Sequence, residues 1–231
     1  MANITLYHGS SKIIKQPKFG EGNNHNDYGL GFYCTMDIEL AKEWACSAKT
    51  GGFANKYSLD VSTLKVMALD APEYGLLDWL AILVNNRIFS IEAPIIAESK
   101  EYLTAHFLPD ITDFDLIKGY RADDSYFTFA MDFLSNTISI RQLSRAMRLG
   151  SLGEQFVLKS RKAFEMLNYI SSEPADGEIY FSKRNERDKK AREQYLKRER
   201  ISARLKEDIF MLDILREEIK RDDTRLQGII S

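Results

Sequence analysis

Two cysteines in 231 residues, Cys34 and Cys46, form no CxxC pair. That argues against a zinc site and against the disulfide framework of a small secreted domain. No long apolar run occurs: the most hydrophobic stretch, Leu76 to Val84, is far too short to span a bilayer. The opening Met1-Ala2-Asn3-Ile4-Thr5 lacks the basic-then-apolar pattern of a signal peptide. A reducing cytoplasm, away from membranes, is therefore the expected location. Neither sign of charge is in excess: 32 basic residues stand against 34 acidic ones, a net of −2. Such a balance gives no global pull toward nucleic acid or an acidic membrane. No Walker-type loop, nucleophile elbow or metal-ligand cluster is visible, so no metal is expected.

What is present is ordinary for a soluble globular chain, 44% hydrophobic and 29% charged. The charge is uneven along it. From Lys183 to Ser231 there are 15 basic and 11 acidic residues, which leaves 17 basic and 23 acidic upstream. The change falls near the turn-rich Pro174-Ala175-Asp176-Gly177. The expected organisation is a domain over residues 1–173 and a charged, mainly helical extension over 174–231. Between Arg184 and Arg225 there is neither proline nor glycine, while Ile201, Leu205, Ile209, Leu212, Leu215 and Ile219 recur every three or four residues. That spacing predicts one long helix with a narrow apolar seam.

The first 173 residues read as mixed α and β. Asn3 to His8, Leu30 to Thr35, Phe114 to Gly119 and Gln155 to Lys159 read as strands. Lys56–Asp60 and Leu64–Leu69 read as two more, joined as a hairpin. Asp37 opens a helix through Trp44, Leu76 to Val84 is a buried helix, and another runs from about Asp123 to Leu134. Ser139 and Ser160 are candidate caps of two further helices, to Leu149 and over Ala163 to Ile170. Scattered strands with interleaved helices indicate an α+β domain.

Three stretches carry the candidate chemistry. In Leu6-Tyr7-His8-Gly9-Ser10, a histidine at a strand end offers a ring nitrogen to a ligand, or is simply a satisfied histidine at a turn. In Asp27-Tyr28-Gly29-Leu30-Gly31-Phe32-Tyr33-Cys34-Thr35, two glycines precede an aromatic strand. Tyr33 either offers a flat ring to a planar, partly cationic heterocycle or belongs to a bulged hairpin with core aromatics. In Leu152-Gly153-Glu154-Gln155-Phe156-Val157-Leu158-Lys159-Ser160, Gln155 either bonds a ligand hydroxyl or ends a solvated strand.

Together, the order and types of these residues resemble the NAD-dependent ADP-ribosyltransferases of the His-Tyr-Glu group, to which diphtheria toxin and the poly(ADP-ribose) polymerases belong. Tyr7-His8-Gly9 matches that group's first strand, Gly29-Leu30-Gly31-Phe32-Tyr33 its second, and Trp44 the second aromatic eleven residues later. Gln155 stands where the group carries its catalytic glutamate. The likeness is closest to a bacterial branch known as a domain of unknown function. That branch shares the Tyr-His-Gly-Ser start, the Asp-x-Gly-x-Gly-Phe-Tyr-x-Thr stretch, a Gly-x-x-Ala-Asp-Asp stretch (Gly119 to Asp124) and the Gln-x-Val-x-Lys-Ser strand. It covers roughly residues 3 to 170.

The resemblance implies a split two-sheet core with inserted helices and NAD, the co-substrate, lying between the sheets. His8, Gly9, Ser10, Gly31, Tyr33 and Trp44 would hold it, with Tyr33 and Trp44 sandwiching the nicotinamide. His8, Tyr33 and Gln155 would serve catalysis. A glutamine orients a hydroxyl but carries no charge toward the oxocarbenium-like state. Asp123 and Asp124 are the candidates to supply it, or else they cap a helix; Glu154 should face the other side of its strand. The expected activity is transfer of ADP-ribose from NAD to a protein or nucleic-acid acceptor, or hydrolysis of NAD. The resemblance also implies a bacterial or phage setting, with a toxin and its antitoxin partner as one form of it. Two other classes remain beside the transferase. One is an NAD- or ADP-ribose-binding module without turnover. The other is an interaction protein acting through the basic stretch 183–206, whose 11 basic and 4 acidic residues either track a phosphate backbone or form a solvated helix face.

Overall fold

The computed structural model describes residues 3–151 and 153–226, with the side chains of all of these except Asp124 and Ser151. It is a mixed α+β structure with two sheets. Strands β1 (Asn3–Ser10), β3 (Gly52–Asp60) and β7 (Leu167–Ala175) form one sheet in the order β1-β3-β7, antiparallel throughout. Strands β2 (Phe32–Cys34), β6 (Glu154–Leu158), β5 (Leu116–Tyr120) and β4 (Val66–Ala68) form the other in the order β2-β6-β5-β4, parallel only between β4 and β5. The edge strands β1 and β2 meet at one bridge, where Tyr7 and Thr35 exchange backbone hydrogen bonds of 2.7 and 2.9 Å.

Several helices start where short polar side chains satisfy their first amides. In α1 (Ile38–Ala45), Asp37 Oδ1 accepts from Glu39 N at 2.8 Å. In α5 (Ile140–Ala146), Ser139 and Gln142 form a reciprocal capping box. In α6 (Arg161–Glu165), Ser160 accepts from Ala163 N at 3.1 Å. Helix α2 (Leu76–Asn86) is apolar on every face because it is buried on every face: Leu76, Leu77 and Trp79 through Val84 all lie in the main core with α4 (Asp124–Leu134) and α5. A second cluster, with Leu6, Cys34, Leu59, Leu116 and Phe156, fills the space where the two sheets come together.

Several expectations are corrected. The segments 56–60 and 64–69 are not a hairpin, since β3 and β4 belong to different sheets. The helix expected to reach Ile170 stops at Glu165, and β7 follows it at once. A helix absent from the sequence reading, α3 (Pro94–His106), packs on α2.

The tail departs most. In place of one long helix there is α7 (Gly177–Gln194), a wide helical turn over Tyr195–Glu199, a loop, and a short α8 (Met211–Arg216). The chain doubles back, so Tyr195, Ile209, Met211, Ile214 and Ile219 enter the main core, while Ile201 of the expected seam is 73% exposed. Arg221 reaches the buried Asp78 at 2.6 Å, and Tyr102 donates to Ile219 O at 3.2 Å. The boundary placed at residues 173–174 therefore falls inside β7, and the segment beyond it completes the core. Among the described residues, no helix is long and apolar enough to cross a membrane.

Candidate functional site

A cleft of about 690 Å³ opens beside the junction of β1 and β2, in the range of small-molecule sites. His8, Gly9, Gly31, Tyr33, Trp44, Asp123 and Gln155 all line it. These seven residues thus reach one space from β1, β2 and the turn before it, α1, the start of α4, and β6. Ser10 does not: it pairs opposite Phe53, and its hydroxyl accepts from Lys12 N at 3.3 Å. The side chain of Asp124 lies outside the described residues. Glu154 faces away from the cleft, 3.1 Å from Lys118, as strand alternation requires.

Two of the glycines at the cleft, Gly9 and Gly31, are demanded by packing. A Cβ on Gly9 would lie 2.0 Å from Ala41 O, so β1 rests directly on α1. A Cβ on Gly31 would lie 2.6 Å from Val157 of β6. These contacts fix where His8 and Tyr33 stand.

His8 is half-buried and stacks on Phe32 with ring centroids 4.2 Å apart. Its Nδ1 is 2.7 Å from Tyr33 O. A carbonyl only accepts, so Nδ1 carries the proton, and in the neutral ring Nε2 is an acceptor. Burial lowers the pKa of His8, against a smaller opposing effect of the Tyr33 carbonyl. His8 is therefore expected to remain neutral at pH 6.5, with ring-proton shifts in NMR titrating below the ordinary histidine range. Its contribution to stability is present above the unfolded-state value of about 6.5 and fades as pH falls through the lower folded one. A ring that titrates at or above 6.5 would overturn this assignment.

Tyr33 is held by its hydroxyl, which accepts from Tyr28 N at 3.1 Å and donates to Gly29 O at 2.5 Å. Lys159 Nζ secures the same loop by donating to Tyr28 O and Leu30 O at 2.7 and 2.6 Å. Burial raises the phenol pKa of Tyr33, so it stays protonated. Trp44 does not present an open face on both sides: the Arg121 guanidinium lies 3.5 Å above its ring centre. One face of the Trp44 ring is thus already covered by a cation of the chain itself.

Gln155 is buried, and both of its amide hydrogens are engaged. Nε2 donates to Asp27 Oδ2 at 2.9 Å and to Tyr120 O at 3.1 Å. Two acceptors fix the amide orientation, which leaves Oε1 to accept from a ligand. Asp27 is a member of the site that the sequence reading left unassigned. It is buried, lines the cleft, bonds Arg87 Nε at 2.7 Å through Oδ1, and accepts from Ala122 N at 2.9 Å through Oδ2.

Asp123 stands at the N-terminus of α4 but makes no capping bond there. Its Oδ2 lies 3.8 Å from Arg187 of α7, and its buried Oδ1 has no hydrogen-bond partner among the described residues. Burial raises its pKa against the opposing pull of Arg121 and Arg187. Asp123 therefore lines the cleft without capping α4, and one of its carboxylate oxygens is buried and unpartnered among the described residues. Arg121, which no sequence motif marks, lines the cleft as well. Burial pulls it down to about 9, and its Nη1 has no hydrogen-bond partner among the described residues.

Five of the eleven basic side chains in the stretch 183–206 pair with a carboxylate among the described residues. Lys183 bonds Glu39 at 2.8 Å, Arg187 bonds Glu43, and Arg192 bonds Asp188 at 2.9 Å. The first two pairs tie α7 to α1, which favours a packed helix face over a free nucleic-acid track at that end of the stretch.

Residues 4–169 match the family described as Protein of unknown function (DUF3990). Neither the curated proteins nor the solved structures contain a match to the chain.

Proposed function

The chain belongs to the DUF3990 family, and we propose that it transfers ADP-ribose from NAD to a macromolecular acceptor. One observation carries this reading. His8, Tyr33, Trp44 and Gln155, which the resemblance assigns to NAD, line one cleft although they come from four separate elements. Each presents a group suited to its part. The His8 Nε2 lone pair accepts from a ribose hydroxyl. The Tyr33 ring packs on the nicotinamide, opposite the Trp44–Arg121 stack. Gln155 Oε1 accepts from the hydroxyl beside the scissile bond.

The reaction breaks the bond between nicotinamide nitrogen and ribose C1′, with the electron pair leaving on nicotinamide. The acceptor nucleophile bonds C1′ and gives up a proton. Gln155 brings no charge to the cation-like state, and the Asp27 carboxylate behind it is already bonded to Arg87, Ala122 and Gln155. Asp123, whose Oδ1 has no hydrogen-bond partner among the described residues, is the group to stabilise that state and take the proton; burial raises its pKa, which makes it a stronger base than an ordinary aspartate. The same full commitment of Asp27 favours the second reading, an NAD-binding module without turnover.

Labelled NAD incubated with protein and cell lysate, followed by separate protease and nuclease digestion, distinguishes the two and identifies the acceptor class. Label is expected in a macromolecule. Tyr33→Ala is expected to weaken NAD binding by about 1 kcal/mol or more in calorimetry. Asp123→Asn is expected to lower turnover far more than affinity. Wild-type protein that binds NAD yet turns over with no acceptor, water included, would replace the enzyme with the binding module.

A further inference from the structure

The cleft holds more positive charge than its own acids answer. Glu21 lies 3.5 Å from Lys18, Asp27 lies 2.7 Å from Arg87, and Asp123 faces Arg187 at 3.8 Å. Three cations on the cleft wall, Lys12, Arg121 and Arg184, have no carboxylate within ion-pair distance among the described residues, although Arg121 feels the charge of Asp123. They come from three places: the chain just after β1, the connection from β5 to α4, and α7.

Arg121 is the informative one. Its Nη1 is shut off from solvent and bonds nothing among the described residues. The indole N–H of Trp44, against which it stacks at 3.5 Å, is likewise buried and unpartnered. Buried donors are almost always bonded, so two unpartnered ones on stacked residues that line the cleft signal an absent acceptor. A guanidinium centred over an indole is held in place, and its planar fork of N–H groups is the arrangement that binds phosphate through paired bonds. A carboxylate would engage one cation. Three unanswered cations from three elements suit a longer anion with acceptor oxygens on two linked centres.

We propose that Arg121, Arg184 and Lys12 form a diphosphate subsite, with the Trp44 indole N–H as a neutral donor beside it. The identity of the groups on either side of the diphosphate rests on the NAD reading above; the subsite itself does not. Asp123 Oδ1 marks its limit, because a phosphate oxygen against that carboxylate is repelled. The diphosphate therefore lies toward Lys12 and Arg184, away from Asp123.

Calorimetry on the full chain with inorganic pyrophosphate, ADP, adenosine and NAD tests this. ADP is expected to bind at least tenfold more tightly than adenosine. Arg121→Gln is expected to weaken pyrophosphate and ADP by roughly ten- to a hundredfold and leave adenosine unchanged. Arg121→Lys, which keeps the charge but not the fork, should fall between. Arg184→Gln, whose side chain has no structural partner to lose among the described residues, should weaken both anions in the same direction. Pyrophosphate and ADP affinities unchanged in folded Arg121→Gln and Arg184→Gln, or no binding of either anion to the wild type, overturn the subsite. Arg121-dependent pyrophosphate binding without any NAD binding keeps the subsite and removes the nucleotide reading.

Discussion

Replacing Gln155 with glutamate, the residue that the resembled transferases carry at that place, is expected to damage the protein. The amide nitrogen of Gln155 sits 2.9 Å from Asp27 Oδ2 and 3.1 Å from Tyr120 O, and donates to both. A carboxylate there has no hydrogens to give and meets a second carboxylate and a carbonyl instead. Like charges in a buried site disfavour ionisation, so the pKa of the new glutamate should rise. A carboxyl group whose folded pKa is raised costs little below its unfolded value of about 4.3, and the penalty grows as pH climbs through the folded value. Thermal melts should therefore show Gln155→Glu close to wild type near pH 4.5 and well below it at pH 8, a loss on the order of 3 kcal/mol. Gln155→Ala removes the same bonds without adding charge and should cost about 1–2 kcal/mol, with little dependence on pH. If Gln155→Glu melts like wild type at pH 8, or turns over faster, the amide is not locked as described.

A chain ending at Glu173 is expected not to fold. The cut removes the end of β7 and five large side chains from the main core: Tyr195, Ile209, Met211, Ile214 and Ile219. Burying each is worth about 1.5–3 kcal/mol, which together rivals the roughly 5–15 kcal/mol that holds an ordinary domain. It also strips Arg221 from the buried Asp78 and Arg187 from Glu43. Near-ultraviolet circular dichroism should be flat and the melting transition broad. A cooperative transition with native-like aromatic signals from the truncated chain would restore a separable tail.

These two results bear on how much the sequence discloses. The caps at Asp37, Ser139 and Ser160 were legible because each bonds within three residues of itself. The candidate motifs were legible for a related reason: each is a short run on one strand or turn. The role of Asp27 was not, since its partners lie 60, 95 and 128 residues away, and only the fold brings them together. The stacking of Arg121 on Trp44 was hidden in the same way. The tail misled because an apolar residue every three or four positions is satisfied equally by one helix or by a helix, a turn and a loop that dip repeatedly into a core. Strand β7 was missed because it begins one residue after the C-cap of α6 with no glycine or proline between them.

The bridge between Tyr7 and Thr35 has a bearing on self-association. An open strand edge is a template on which another copy can pair, and two sheets have four such edges. Here β1 and β2, the edges beside the cleft, are turned toward one another and tied at that bridge. Of the outer two, β4 is three residues long. The other, β7, is long enough to recruit a partner, but its register shifts opposite Lys56 and Tyr57, and Pro174 near its end has no N–H to donate. The arrangement that opens a cleft for a ligand thus also denies a neighbouring molecule a straight strand to extend.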